Sequence, residues 1–214
     1  MTYKIGIKIC GLKEQYAIES SVENEVDMLG FVFYEDSPRN LDFSLAKKLF
    51  SFVPSNVTAV ALLVNPTDDY LKKIINDVGI NTIQLHGQET AERTAEIKGI
   101  YNFDIIKAFS VKNLKSIQNC DLYKESVSKF LFDAEPPLNS LRPGGNGNIF
   151  DWKILKNYTS NVPWILSGGL NPDNIKDAIE ESGTNFVDVS SGVESKSGIK
   201  DIGLINKFVK NARK

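Results

Sequence analysis

What most constrains this chain is an alternation. Eight short apolar runs recur along it: Ile5–Cys10, Leu29–Phe33, Ala59–Val64, Thr82–His86, Ile105–Phe109, Phe130–Asp133, Trp164–Leu166 and Phe186–Val189. Each has the length of a strand, and most are rich in β-branched or aromatic residues. A stretch with helical spacing follows each one, such as Leu45, Leu49 and Phe52, or Leu71, Ile74 and Ile75, or Ile175, Ala178 and Ile179, or Leu204, Ile205, Phe208 and Val209. Asn171-Pro172-Asp173 offers one helix start, with an N-cap, a proline at the first helical position and an acid in the first turn. Strict strand–helix alternation argues for an α/β fold with a parallel sheet. Eight units come to about 27 residues each, near the lower limit of a (β/α)8 TIM barrel with eight parallel strands. The rival is an open doubly wound sheet, but no dinucleotide-type Gly-rich turn follows the first strand. No linker divides the chain, so residues 1–214 are expected to form a single (β/α)8 barrel domain.

Charge and cysteine usage narrow the partners. Lys plus Arg is 25 and Asp plus Glu is 27, a net charge of 25 − 27 = −2. That is no footprint for nucleic acid. Lys207, Lys210, Arg213 and Lys214 read as the cationic last turn of a helix. Met1 to Cys10 reads as a strand rather than a signal peptide. No apolar run is long enough to span a membrane, so no membrane partner is expected. Cys10 and Cys120 are expected to be free thiols in a reducing cytoplasm. Asn56-Val57-Thr58 and Asn157-Tyr158-Thr159 match a glycosylation triplet, which carries nothing without a secretory signal.

Side chains alternate across a strand. Lys8 and Cys10 oppose Ile7 and Ile9; Thr82, Gln84 and His86 oppose Ile83 and Leu85; Lys107 opposes Ile106 and Ala108; Asp133 and Leu131 oppose Phe130 and Phe132; Asp188 opposes Val187 and Val189. The apolar sides suit the surrounding helices, which points the polar residues into the barrel. Buried polar groups are costly unless paired or used. Cys10, His86, Asp133 and Asp188 fall at strand C-terminal ends, where barrel enzymes do their chemistry. Lys8, Gln84 and Lys107 sit deeper, as a buried ion-pair network.

Small-residue turns follow strands six, seven and eight: Gly144-Gly145-Asn146-Gly147, Ser167-Gly168-Gly169 and Ser190-Ser191-Gly192. Glycine lets backbone approach a ligand closely, and clustered backbone N–H groups make an anion site. Barrels often hold phosphate after strands seven and eight. The phosphate candidates are Gly145, Gly147, Gly168, Gly169, Ser190, Ser191 and Gly192. The long stretch Ala134–Phe150, with three prolines and three glycines, belongs with them as an active-site loop.

The mouth thus offers a thiol and a carboxyl. A free Cys titrates at roughly 8.5, so a small downward shift makes it a usable base. An Asp, ordinarily near 3.9, must be raised to act as an acid. Such a pair flanking a phosphorylated substrate suits an aldose–ketose isomerisation. With one histidine, no metal cluster is expected. An amine carried on the sugar would itself provide the electron sink, so no cofactor is called for.

The residues Lys8-Ile9-Cys10-Gly11, Gly30-Phe31-Val32-Phe33, Ser37-Pro38-Arg39, Gln84-Leu85-His86-Gly87, Asp133-Ala134, Gly144-Gly145-Asn146-Gly147, Leu166-Ser167-Gly168-Gly169-Leu170 and Asp188-Val189-Ser190-Ser191-Gly192-Val193-Glu194 fall in an order that resembles the phosphoribosylanthranilate isomerase family of tryptophan biosynthesis. The resemblance covers essentially the whole chain. It implies an Amadori rearrangement of N-(5-phosphoribosyl)anthranilate to its 1-deoxyribulose phosphate isomer. Cys10 then matches the general base and Asp133 the general acid. Arg39 matches the residue that holds the anthranilate carboxylate, with His86 and Asp188 as active-site support for substrate binding. Two positions depart from the family pattern. Asn146 stands where a hydroxyl residue is usual, so an amide would have to donate to the phosphate instead. Ser167 stands where alanine is common, a change expected to be neutral.

Two alternatives stay open from the residues alone. One is another phosphate-binding barrel enzyme, although an epimerase needs a metal cluster and a lyase-type pair has no place for Cys10. The other is a non-catalytic barrel that binds a phosphorylated metabolite, which would need neither Cys10 nor Asp133.

Overall fold

In the computed structural model the described residues are 4–138, 140 and 142–214; Met1, Thr2 and Tyr3 of the expected first strand lie outside them, as do Asn139 and Leu141 of the long loop. Eight parallel strands close into a barrel in chain order. They are β1 (Gly6–Cys10), β2 (Met28–Phe33), β3 (Thr58–Leu63), β4 (Thr82–Leu85), β5 (Asp104–Val111), β6 (Lys129–Ala134), β7 (Trp164–Leu166) and β8 (Phe186–Val189). The seam pairs β1 with β8, Lys8 opposite Asp188. The helices around it are α1 (Gln15–Glu23), α2 (Phe43–Phe50), α3 (Asp68–Lys73), α4 (Ala91–Tyr101), α5 (Ile175–Ser182) and α6 (Ile202–Ala212). A two-stranded hairpin, β9 (Glu194–Lys196) and β10 (Ile199–Lys200), follows β8.

Local sequence explains the helix starts. Asp42, Thr67, Thr90 and Asp201 each accept a backbone N–H of the first turn with a side-chain oxygen, at the heads of α2, α3, α4 and α6. Each such cap satisfies an otherwise orphaned donor. Asn171 also caps, but it caps a turn: its Oδ1 accepts from the N–H of Asp173 at 2.8 Å and of Asn174 at 3.1 Å. The helix α5 begins only at Ile175. The cationic C-terminus ties α6 down, with Lys207 on Asp173 at 2.6 Å and Arg213 donating to the carbonyls of Asn24 and Glu25.

Two units depart from the expected strand–helix alternation. After β5 the chain makes only 3-10 turns, Leu114–Ile117 and Cys120–Tyr123, and after β6 only Trp152–Leu155. The first of these opens with a tight Asn113–Ser116 capping box in a polar segment. The segment after β6 carries Pro136, Pro137 and Pro143, which cannot donate to a helix.

The main apolar layer lies between strands and helices. Ile7, Ile9, Leu85, Phe132, Val187 and Val189 pack there against Ile18, Leu49, Leu71, Ile97 and Phe208. Each such side chain contributes about 1.5–3 kcal/mol by burial. A smaller cluster fills the barrel: Met28, Val60, Ile106, Ala108, Leu131 and Ile165. This corrects the reading of β5. Ile106 and Ala108 face inward, because the interior needs apolar filling opposite Gln84, the register partner of Ile106. Lys107 therefore faces outward. Its Nζ reaches Glu89 at 3.0 Å and the Gly87 carbonyl at 2.9 Å.

Candidate active site

The C-terminal ends of the strands open into one cleft of about 750 Å³. It brings together Cys10, Arg39, His86, Asp133 and Asp188, with Gly145, Gly147, Gly168, Gly169, Ser190 and Ser191. Of the residues expected at the site, Gly192 stands behind the lining. It lies in the 3-10 turn Ser191–Val193, against the backbone of Leu170 and Asn171, where a side chain would strike the Leu170 carbonyl.

Cys10 ends β1 and points inward. On β2, Gly30 leaves room for it: a Cβ there would stand 2.8 Å from the Cys10 Sγ. Burial pushes the thiol above its ordinary value, the Lys8 and Lys200 ammonium groups oppose this, and Asp188 adds to it. The direction is the reverse of the expected downward shift. A thiol this enclosed loses more hydration than two ammonium groups offset.

Beneath the thiol, Lys8 has no exposed surface. Its Nζ donates to Asp188 Oδ1 at 2.8 Å, and Ser167 Oγ donates to Asp188 Oδ2 at 3.0 Å. Burial works against the Lys8 ammonium, but Asp188 and Cys10 outweigh it and hold its pKa above the ordinary value. Ser167 thus makes a contact that an alanine would lack. It fixes the carboxylate that pairs with Lys8.

On β6, Asp133 accepts the Ala134 N–H on Oδ1 at 2.9 Å, and its Oδ2 stands 3.3 Å from His86 Nε2. Gln84 Nε2 stands 2.8 Å from His86 Nδ1. With the amide placed this way Nδ1 accepts, and an Nε2–H faces Asp133. The loop after β6 folds onto this pair, since a Cβ on Gly144 would stand 2.5 Å from Asp133 Oδ2 and 2.6 Å from His86 Nε2.

Arg39 is buried in the wall. Its Nε and Nη2 donate to Glu194 Oε1 and Oε2 at 2.7 and 2.9 Å, a bidentate pair. Lys200 Nζ donates to the same carboxylate at 2.8 Å and to the Ser190 carbonyl at 2.9 Å. Ser190 Oγ donates in turn to the Cys10 carbonyl at 3.0 Å. Burial works against the Glu194 carboxylate, yet Arg39 and Lys200 hold its pKa below the ordinary value.

Asn146 turns its amide into its own loop. Its Oδ1 accepts from Ser140 Oγ at 3.2 Å and its Nδ2 donates to the Arg142 carbonyl at 3.2 Å. Arg142 lines the cleft, and among the described residues its buried Nη1 has no partner.

Reading the sequence singled out neither Arg142 nor the Glu194–Lys200 pair for a role. Their signal was present but weak: Glu194 closes the run after Ser190-Ser191-Gly192, and Arg142 directly precedes Pro143-Gly144-Gly145. Among the described residues no group of three or more His, Cys, Asp or Glu side chains could hold a metal, and no helix is long and apolar enough to cross a membrane.

Residues 7–211 match the family model described as PRAI, N-(5'phosphoribosyl)anthranilate (PRA) isomerase. The N-(5'-phosphoribosyl)anthranilate isomerase of Paramagnetospirillum magneticum is 41% identical over 209 residues, which cover 98% of this chain and 97% of that protein. The solved phosphoribosyl anthranilate isomerase of Thermotoga maritima superposes with a TM-score of 0.86 at 34% identity, over 97% of this chain and 98% of that one. A phosphoribosyl anthranilate isomerase solved in complex with reduced 1-(o-carboxyphenylamino)-1-deoxyribulose 5-phosphate superposes with a TM-score of 0.82 at 32% identity, over 97% and 98% of the two chains.

Proposed function

The chain belongs to the N-(5'-phosphoribosyl)anthranilate isomerase family, and from that premise we propose that Cys10 is the base and Asp133 the acid of its reaction. The enzyme converts N-(5'-phosphoribosyl)anthranilate to 1-(o-carboxyphenylamino)-1-deoxyribulose 5-phosphate, a step of tryptophan biosynthesis. The observation that supports the residue roles is that Cys10 and Asp133, from strands three places apart round the barrel, line one cleft.

Asp133 in its acid form gives a proton to the ribose ring oxygen. The C1–O bond breaks, and the anthranilate nitrogen pushes its electron pair in to form an iminium at C1. The Cys10 thiolate removes the C2 proton, and the C2–H electron pair becomes the C1–C2 double bond of an enolamine. Protonation at C1 and loss of the C2 hydroxyl proton then give the ketone. Net return of one proton from thiol to carboxylate, through solvent, resets the pair. His86 orients Asp133 throughout, and its own orientation is held by Gln84.

The substrate carries two anionic ends. The turns that hold Gly168, Gly169, Ser190 and Ser191 suit the phosphate, as backbone N–H donors at a barrel mouth commonly do. Arg39 keeps only Nη1 clear of Glu194. Arg142 brings to the same cleft a guanidinium nitrogen that has no partner among the described residues, so the two arginines together are assigned the anthranilate carboxylate and its flank. Two free, buried thiols support placing the enzyme in the reducing cytoplasm.

The test is anthranilate fluorescence during turnover of freshly generated phosphoribosylanthranilate, with Cys10→Ala and Asp133→Asn alongside. Fast signal change in the wild type that largely vanishes in both variants is expected. Either variant retaining full turnover would remove its assignment.

A further inference from the structure

Lys8 has no exposed surface and sits on the inward face of β1, two residues below Cys10. A strand rises about 3.4 Å per residue, so a lysine stem spans the step between them. At the same level on β8, Asp188 Oδ1 accepts a hydrogen bond from Lys8 Nζ at 2.8 Å, and its far oxygen accepts from Ser167 Oγ at 3.0 Å. An ammonium has three protons. The carboxylate accepts a hydrogen bond from one of them, and no protein oxygen other than that of Asp188 accepts from Lys8 among the described residues. The ammonium is thus only partly used at the floor of a cleft whose reactive atom lies directly above it.

We propose that Lys8 is a positioning residue that serves as counter-ion to the Cys10 thiolate, sharing its ammonium between that sulfur and Asp188. The inference rests on Cys10 being the base. A fully buried lysine is costly unless matched by charge. In the resting protein Asp188 matches it. When Cys10 loses its proton a second anion appears at the same ammonium, and the site carries two negative charges around one buried positive charge. Lys200, tied to Glu194 and Ser190, is the other cation that acts on the sulfur. Arg39 lies close by at Gly11 but is neutralised by Glu194. His86 and Asp133 face the thiol from across the cleft. Lys8 is therefore the cation whose share the protein can shift, and Ser167 biases that share by fixing Asp188.

The test reads the thiol itself. Thiolate absorbance near 240 nm is titrated as the difference between each protein and the same protein carrying Cys10→Ala, which cancels Cys120 and the tyrosines. Asp188→Asn frees the ammonium and is expected to move the Cys10 midpoint down by about one pH unit, a tenfold gain in thiolate fraction. Lys8→Met/Asp188→Asn removes both charges, leaves no unpaired buried ion, and is expected to titrate at least one pH unit, about tenfold, above Asp188→Asn alone. If Lys8 served only to neutralise Asp188, the double variant would titrate with Asp188→Asn, and that result overturns the inference. An unmoved midpoint in folded Asp188→Asn overturns it as well. Because the titration does not depend on turnover, failure of the base assignment would show separately, as retained turnover in Cys10→Ala.

Discussion

Glu194 holds both inner arms of the Arg39 guanidinium, at 2.7 and 2.9 Å, so the arginine expected to seize a substrate carboxylate already grips one of the protein's own. Arg39→Ala then has two effects. It raises KM, and it leaves a buried carboxylate held by Lys200 and the Gly198 N–H without its bidentate partner. Breaking a buried pair on one side costs about 3–5 kcal/mol, which in a chain of this size lowers Tm by on the order of 10 °C. A thermal melt beside a KM measurement checks both. An unchanged Tm would show that the pair contributes nothing to the fold.

Arg142 behaves differently because its Nη1 is unpartnered among the described residues. Arg142→Ala is expected to leave Tm nearly unchanged and to raise KM about ten- to a hundredfold, the worth of one charge-assisted hydrogen bond. Competition by inorganic phosphate against competition by anthranilate identifies which end of the substrate it holds. Retained anthranilate competition with lost phosphate competition would move Arg142 to the phosphate.

Cys10→Ala and Asp133→Asn should each lower kcat by about 10²–10⁴ while leaving the fold intact, as loss of a positioned base or acid does. Circular dichroism and single-turnover rates check the pair. In the wild type, kcat/KM should keep rising with pH above neutrality, because burial raises the thiol of the free enzyme. A plateau at acidic pH would contradict that direction.

The Arg39–Glu194–Lys200 cluster also sets a pH window. The folded Glu194 carboxyl titrates below its ordinary value of 4.5. A depressed carboxyl contributes stability that is present above the unfolded pKa and is lost as pH falls through the folded one. Denaturant melts of wild type and Glu194→Gln should therefore differ most above about pH 5 and converge as pH falls below 4.5. A constant gap down to pH 3 would exclude the linkage.

The strands and the inward chemistry were legible because strand alternation is a period of two, and a polar residue breaks it visibly. Lys8, Cys10, His86, Asp133 and Asp188 were all placed on the correct face this way. Lys107 was not, because alternation separates two faces without saying which is inner. In β5 the apolar face fills the barrel, and the lysine is served from outside by Glu89. The grip of Glu194 on Arg39 joins residues 155 apart, and no local pattern carries it. The Ser167–Asp188 contact was not legible, because its two residues are 21 apart and meet only across neighbouring strands.

The seam between β1 and β8 carries one more consequence, for the order in which the molecule becomes an enzyme. Lys8 is made near the start of the chain and Asp188 near its end, 180 residues later. Until β8 exists, the first strand holds a lysine with no carboxylate and a thiol with no closed wall. Without β8, Lys8 has no Asp188 to pair with and the floor beneath Cys10 is incomplete. Closure of the barrel thus supplies the carboxylate for Lys8 and completes the floor beneath Cys10 in one and the same contact.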